Sequence, residues 1–440
     1  MASSSSRASA KSVDFLVIGG GIGGLSTMRV LGEKHPKAKI MLLEKEPTLG
    51  QGTSRSDHNT GTGHTGAFYA PGTAKATAAN EGFRWLRNYH HEKGLPIRNV
   101  GKIIAASMPG DDLFLQKYQQ QATANGQKKA VILSGDKLRE KHEPLLSKTI
   151  TAGLFLPEAY LFDADGVMKA MAEDIERKGG ILQTNHTVLG IKAVSEGWLV
   201  RTQAGEYVAQ NVINSAGTHA DRVARMVGGA KTWKIMPVMG SYVELNKVVD
   251  WRTAVYEPTR NPPFLGVHVM PGINGKPFMG PDVFFSPLRE RSGNETTSTQ
   301  SIFKKLYETA DNIIGLPRGV IALSRNGLFP NLQFYGGMVA KKDGRAEVCK
   351  HLNINAFAQD AQRLINRDLL ELKGEDFSPL RSGIRAQAID LVTGKVLQDL
   401  AKEETPHPLK PSCRFISDKM PGSPGFTASV GKARWMTESV

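Results

Sequence analysis

The stretch His58–Gly72, HNTGTGHTGAFYAPG, sets two histidines among threonines and glycines, and its first large apolar residue is Phe68. Imidazole changes charge nearest neutral pH, so His64 is suited to take or give a proton there. No apolar residue recurs at helical spacing in this stretch, and its glycines would weaken a strand interior. It reads as a loop that carries small polar groups and one proton-transfer group to a ligand. Upstream, Gly19, Gly21 and Gly24 satisfy G-x-G-x-x-G, and Glu44 follows twenty residues after Gly24. That spacing suits a dinucleotide. Gly19 permits a tight turn, Gly21 lets backbone approach a pyrophosphate, and Gly24 lets a helix pack closely on a strand. The helix start, with Ile22 and Gly23, offers N–H groups and a positive dipole end to phosphates. Glu44 would accept from both ribose hydroxyls and repel a 2'-phosphate, which favours FAD or NAD over NADP.

These groups need a frame. Phe15 to Ile18 is a continuous apolar run suited to a buried parallel strand. Leu25, Met28 and Leu31 follow at helical spacing, and Ile40 to Leu43 is a second strand ending at Glu44. Far downstream, YVAQNVINSAGTHADRVARMVG reads as a strand over Tyr207 to Ile213, a turn at Ala216 and Gly217, and a helix opening at Ala220. Just before it, GGILQTNHTVLGIKAV, which contains Val188, reads as two strands feeding the same region. The N-terminal position of the unit, the glycine-rich segment after Glu44 and the later strand ending in Ala-Gly point to FAD rather than NAD. The loop 47–72 leaves at the carboxyl end of the strands, where ligands bind in open α/β sheets. Asn59, Thr60 and Thr62 are placed to donate to the pyrophosphate or the ring, and His64 to face flavin and substrate. His58 reads as no better placed than a surface histidine.

Composition narrows the class. The chain has 440 residues, 40% hydrophobic and 22% charged, with mean hydropathy −0.28. That argues against disorder and against a protein of many membrane spans. Cys349 and Cys413 lie far apart and outside any metal-ligand spacing, so they read as reduced thiols and no metal is expected. The net charge of +14 raises the question of nucleic acid, but the basic residues are scattered and aromatics are only 7%. A positive field that steers a small dianion is the functional version of that charge. The first thirteen residues, MASSSSRASAKSV, are serine-rich, with Arg7 and Lys11 and no acid. They resemble a mitochondrial transit peptide, with a cytoplasmic tail as the alternative.

Along nearly its whole length the chain resembles the FAD-dependent L-2-hydroxyglutarate dehydrogenases, within the D-amino-acid-oxidase-like (glycine-oxidase-like) flavoprotein superfamily. HNTGTGHTGAFYAPGTAKA resembles the family's Arg-Asn-Ser-Gly-Val-Ile-His-Ala-Gly segment. NPPFLGVHVMPGINGKPFMGPD matches its Phe-Leu-Gly-Val-His strand, SGIRAQAID its Gly-Val-Arg-Ala-Gln segment, and SPGFTASVG its C-terminal Ser-Pro-Gly-Ala-Thr-Ala-Ser loop. The chain departs from the family at His58, where the family has arginine, and at Phe426, where it has alanine. GTGH looks more like malate:quinone oxidoreductases, and residues 286–345 match poorly.

The resemblance implies oxidation of a small 2-hydroxy dicarboxylate, L-2-hydroxyglutarate to 2-oxoglutarate, by hydride transfer to flavin N5. The alternatives are a malate:quinone oxidoreductase-like activity or an amino-acid or amine oxidase on the same scaffold. The acceptor would be quinone or oxygen, with at most peripheral membrane contact. Arg385 is expected to clamp a carboxylate with its planar fork, with Arg381 as the weaker candidate. His64 or His268 would be the base, titrating near neutrality. Gly425, Phe426 and Thr427, at a helix start, would stabilise charge on the pyrimidine edge of the flavin. The expected fold is α/β: a Rossmann-type FAD-binding domain, discontinuous in sequence, with an α+β substrate domain built on a mostly antiparallel sheet. Expected boundaries are a tail over 1–12, the FAD-binding domain over 13–80, 146–232 and 371–440, and the substrate domain over 81–145 and 233–370.

Overall fold

The computed structural model describes residues 10–50, 56, 58–64, 66–260, 266–282, 284–285, 289, 353–422 and 424–440. Cys349 and most of 286–345 lie outside them. Elements are numbered in chain order. The first sheet is built around β1 (Lys11–Ile18), with β2 (Ile40–Leu43) on one side and β11 (Glu206–Asn214) on the other. β8 (Ile181–Gln183) extends it beyond β2, and β19 (Arg414–Asp418) beyond β11, all parallel. β18 (Lys402–Pro406) closes one edge in antiparallel sense. β9 (Val188–Val194) and β10 (Gly197–Thr202) join β11 as an antiparallel pair.

The sequence of β1 explains its place. Both its faces are covered, so its apolar run is continuous rather than alternating. Phe15 and Val17 pack on one side with Leu25, Met28 and Leu31 of α1 (Ile22–Lys34). Phe83, Leu86 and Tyr89 of α2 (Ala74–Lys93) and Val167, Met168 and Met171 of α5 (Ala164–Arg177) join that cluster. Leu16 and Ile18 face the opposite layer, with Trp198, Val200 and Tyr207. Leu25 and Leu31 are wholly buried, which at ordinary transfer values is worth about 2 kcal/mol each.

The second sheet is mostly antiparallel. Its backbone is a long ribbon of β12 (Trp233–Leu245) and β17 (Phe377–Asp390), paired from Trp233–Asp390 to Leu245–Phe377. β16 (Phe284–Phe285) pairs with β12, as does β15 (Phe278–Gly280). Then follow β14 (His268–Met270), β13 (Ala254–Tyr256), β4 (Lys102–Ala106), β6 (Ala152–Leu156) and β5 (Val131–Ser134). Only β13 and β4 run parallel among these pairs. α3 (Asp111–Ala124), α4 (Gly135–Lys141) and α7 (Ile354–Gln362) pack against it. β3 (Ile97–Asn99) and β7 (Tyr160–Phe162) form a separate two-stranded ladder, and α6 (Ala220–Arg225) follows β11. The architecture is thus a Rossmann-type α/β half, discontinuous in sequence, joined to an α+β half on a mostly antiparallel sheet.

Sheet membership crosses the boundaries read from sequence. β17 lies inside 371–440 yet pairs along its whole length with β12. β6 lies inside 146–232 yet pairs with β4. α2, mostly within 81–145, packs on the parallel half instead. The reason is the same each time. An extended run or an apolar stripe specifies that a face is buried, not which face buries it.

Candidate active site

The parallel half supplies a turn and a helix end. Gly19, at φ +108°, closes β1, and a Cβ there would sit 2.5 Å from the Ser215 carbonyl oxygen. The N-cap of α1, Gly21, has no side chain and no acid stands in the first turn, so its dipole end favours an anion. Ile22 N–H donates to Ser56 Oγ at 3.0 Å, and a Cβ on Gly23 would meet nothing within 4 Å. Glu44 follows the end of β2. Its carboxylate accepts from Gly20 N–H and, at 2.9 Å, from Glu46 N–H. Burial raises its pKa, and those two amides oppose the rise.

A cavity of about 840 Å³ opens from this turn and runs toward the antiparallel sheet. Gly19, Gly21, Ile22, Gly23 and Glu44 form one end of its wall, with Val188, Ala216 and Gly217 beside them. Gly24 does not line it. A Cβ there would lie 1.8 Å from Gly19 O, so Gly24 serves the close approach of helix to turn, not the ligand. The dipole end of α1, the room at Gly23 and the carboxylate of Glu44 fit a dinucleotide, and these residues could hold FAD.

The loop from His58 to His64 forms the middle of the wall. Gly61, at φ +66°, lies so close to β7 that a Cβ would be 2.4 Å from Phe162 O. Phe162 N–H donates to Gly61 O and Gly63 N–H to Tyr160 O, both at 2.8 Å. The Asn59 amide donates to Ser56 O, and its oxygen accepts from Gly61 N–H at 2.6 Å. Thr60 Oγ1 accepts from Thr62 N–H at 3.3 Å. Both side chains therefore brace the loop itself. His58, read as a surface group, faces the cavity and ties the loop to β17 through Nδ1 and Ser382 O at 2.7 Å.

The C-terminal segment completes this wall. Gly425, Phe426 and Thr427 line the cavity, but they form a turn that precedes α8 (Ser429–Met436), one step short of the expected helix start. His64 N–H donates to Thr427 Oγ1 at 3.1 Å, and that hydroxyl donates to Thr62 O at 3.2 Å. Phe426 directs its bulk into the core with Phe83 and Phe162. Ser423, like Phe264 and Leu265, lies outside the described residues.

The other end of the cavity belongs to the antiparallel sheet. Strand alternation puts Ile103, Val255 and Val269 into the core on one face. The same alternation puts Lys102, Tyr256 and His268 together on the opposite face. His268 stacks on Tyr256, with ring centroids 3.8 Å apart. Arg385 sits opposite Val238 in the β12–β17 ribbon, and both line the cavity. Among the described residues no carboxylate pairs with Arg385, and its Nε has no acceptor. Asp390, its potential neighbour on the strand, accepts instead from the amides of Val392 and Thr393. The Arg381 side chain lies outside the described residues.

The field at this end is positive. Burial pushes the Lys75 ammonium down to about 8, and Arg385 adds to that push. Burial also holds His64 well below 6.5, with the charges of Lys102, His268 and Lys75 adding to the effect. Sequence reading expects this histidine to titrate near neutrality, whereas burial and the neighbouring positive charges lower its pKa. Lys102, Tyr256 and Lys75 carried no distinguishing sequence signal, since each looks like ordinary strand or helix composition. The Asp418–Lys432 ion pair, at 2.5 Å in the cavity wall, was likewise not anticipated.

Comparison with known proteins agrees with this geometry. Residues 14–387 match the sequence profile of the family described as DAO, FAD dependent oxidoreductase. The chain is 30% identical over 400 residues to the L-2-hydroxyglutarate dehydrogenase of Escherichia coli K12, covering 89% of this chain and 86% of that one. It is 29% identical over 438 residues to the mitochondrial L-2-hydroxyglutarate dehydrogenase of Caenorhabditis elegans, covering 96% and 92%. In fold it is similar to the FAD-bound L-alpha-glycerophosphate oxidase of Mycoplasma pneumoniae, with TM-score 0.67, 21% identity and 96% and 93% coverage. It is also similar to glycine oxidase from Geobacillus kaustophilus, with TM-score 0.65, 16% identity and 98% and 94% coverage. The open glycine turn, the cavity that joins it to the antiparallel sheet and the match over most of the chain lead to one conclusion: this chain belongs to the DAO family of FAD-dependent oxidoreductases.

Proposed function

We propose that this flavoenzyme oxidises a small 2-hydroxy dicarboxylate, L-2-hydroxyglutarate to 2-oxoglutarate. The observation that carries the reading is Arg385. It is a guanidinium in the cavity wall with no carboxylate partner among the described residues, within electrostatic reach of Lys75. A half-buried guanidinium whose buried Nε lacks an acceptor gains from an anion that binds to it, and the fork of arginine fits a carboxylate. The names of the bacterial and animal relatives favour the five-carbon acid over malate.

In this reading Arg385 holds the C1 carboxylate and fixes the orientation of C2. His64, neutral at working pH, accepts the proton of the 2-hydroxyl. His268, held flat against Tyr256, packs the far side of the substrate. FAD, when bound, supplies the acceptor for the hydride that leaves C2. Gly19, Gly21, Ile22, Gly23 and Glu44 hold the dinucleotide at one end, and Gly425, Phe426 and Thr427 close over it at the other. Val188, Ala216 and Gly217 supply the side wall. The final electron acceptor is a quinone or oxygen. Among the described residues no helix is long and apolar enough to cross a membrane. A mitochondrial location is the reading that the serine-rich, acid-free N-terminal segment supports.

The test is anaerobic. L-2-hydroxyglutarate should bleach the visible flavin band of the purified protein, while glycine should leave it unchanged. Bleaching by L-malate but not by L-2-hydroxyglutarate would overturn the choice of acid.

A further inference from the structure

Lys102 opens β4, the strand that joins β13 on one side and β6 on the other. It is therefore inside the sheet rather than at an edge, and it is fully buried. Its Nζ has no hydrogen-bond acceptor among the described residues. The ammonium lies 4.5 Å from the centre of the Tyr256 ring and 5.8 Å from that of Phe68. Those ring faces offset only part of the cost of removing a cation from water. A methionine would fill the same space without that cost. Burial pushes Lys102 down to about 7, the expected response of an ammonium that lacks a counter-ion. The positive charge nevertheless acts on His64, in the cavity wall. A buried cation with no internal partner becomes favourable only when an anion arrives next to it.

We propose that Lys102 is a positioning residue for the reaction: its ammonium, sealed behind Tyr256 and beside His64, is the fixed counter-charge that draws the anionic end of the substrate against that wall. This rests on the dicarboxylate reading and extends it. Arg385 grips from the β12–β17 ribbon, whereas Lys102 acts through the wall, without contact. An anion between them is held from two sides, and an uncharged alcohol gains nothing from either.

Glutarate separates the possibilities, because it carries both carboxylates and lacks the 2-hydroxyl. It is titrated into the FAD-loaded protein while the flavin absorbance is followed. Wild type should show a saturable spectral change, and Lys102→Met should bind glutarate at least roughly tenfold more weakly. The loss of kcat/KM on L-2-hydroxyglutarate should lie mainly in KM. The melting temperature of Lys102→Met should not fall, because the substitution removes an uncompensated charge. Equal glutarate affinity in variant and wild type overturns the proposal. So does a variant that melts far lower or sheds FAD, since that assigns the lysine to structure. A wild type that neither binds glutarate nor is bleached by L-2-hydroxyglutarate overturns the substrate reading itself, and Lys102 with it.

Discussion

The two ends of the cavity are built on opposite plans. The end at α1 is made largely of backbone: glycines with room or with positive φ, a helix start with glycine at its N-cap, and one carboxylate braced by two amides. These parts lie between Gly19 and Glu46. The end at the antiparallel sheet is made of side chains. Lys102, Tyr256, His268 and Arg385 come from four strands scattered over most of the chain. Backbone recognition tolerates little change in shape, because a Cβ at Gly19 or Gly24 would run into a carbonyl oxygen. Side-chain recognition tolerates changes of shape and is sensitive to charge. Substitutions at the first end should therefore remove the cofactor, and those at the second should leave cofactor and fold in place while chemistry fails.

Gly24→Ala is the harshest test of the first half of that contrast. Its methyl would be driven into Gly19 O, at a cost of about 3 kcal/mol or more. The expected outcome is protein purified without a flavin band, read directly from its absorbance ratio. Arg385→Met tests the other half. It should retain FAD and melting temperature while kcat/KM falls by about a thousandfold, roughly 4 kcal/mol of transition-state binding. A variant that loses FAD instead would break the contrast.

His64→Gln sharpens it further, with an expected loss of about a hundredfold in kcat. Wild-type kcat/KM should decline on the acid side as His64 takes up its proton. Because the folded protein holds that pKa well below 6.5, the decline begins well below pH 6.5, and the variant lacks it. The smallest effect belongs to Glu143, remote from both ends. It is fully buried, accepts from the amides of Arg252 at 2.7 Å and Thr253 at 3.0 Å, and is pushed by burial up to about 7. Between about 4.5 and 7 the folded state then holds more of its proton than the unfolded state, so stability falls as pH rises through that window. Glu143→Gln should flatten this slope in chemical denaturation, with kcat/KM unchanged.

The same contrast accounts for what could be read in advance. Gly19 to Gly24 and Glu44 announce themselves because strand, turn, helix and acid follow one another in sequence. His64 was legible from its place in a glycine-rich loop at the strand ends. Arg385 and His268 were legible only through likeness to a family, since neither has a local pattern that points to a ligand. Tyr256 has no local pattern that points to a site, because its stack with His268 depends on which strands pair. Lys102 was not legible at all: a lysine opening the run KIIAA looks like a strand entering from solvent. Asn59 and Thr60 read from sequence as donors to a ligand, whereas their side chains bond within the loop itself.

The bond from His64 N–H to Thr427 Oγ1 spans 363 residues of chain. It has a consequence for biosynthesis. The glycine turn is translated well before β19, the turn at Gly425 and α8. While translation is under way, the nascent protein displays a phosphate-ready helix end with no closing wall. FAD capture should therefore wait for these later segments, and chains truncated before β19 should be unable to retain the flavin.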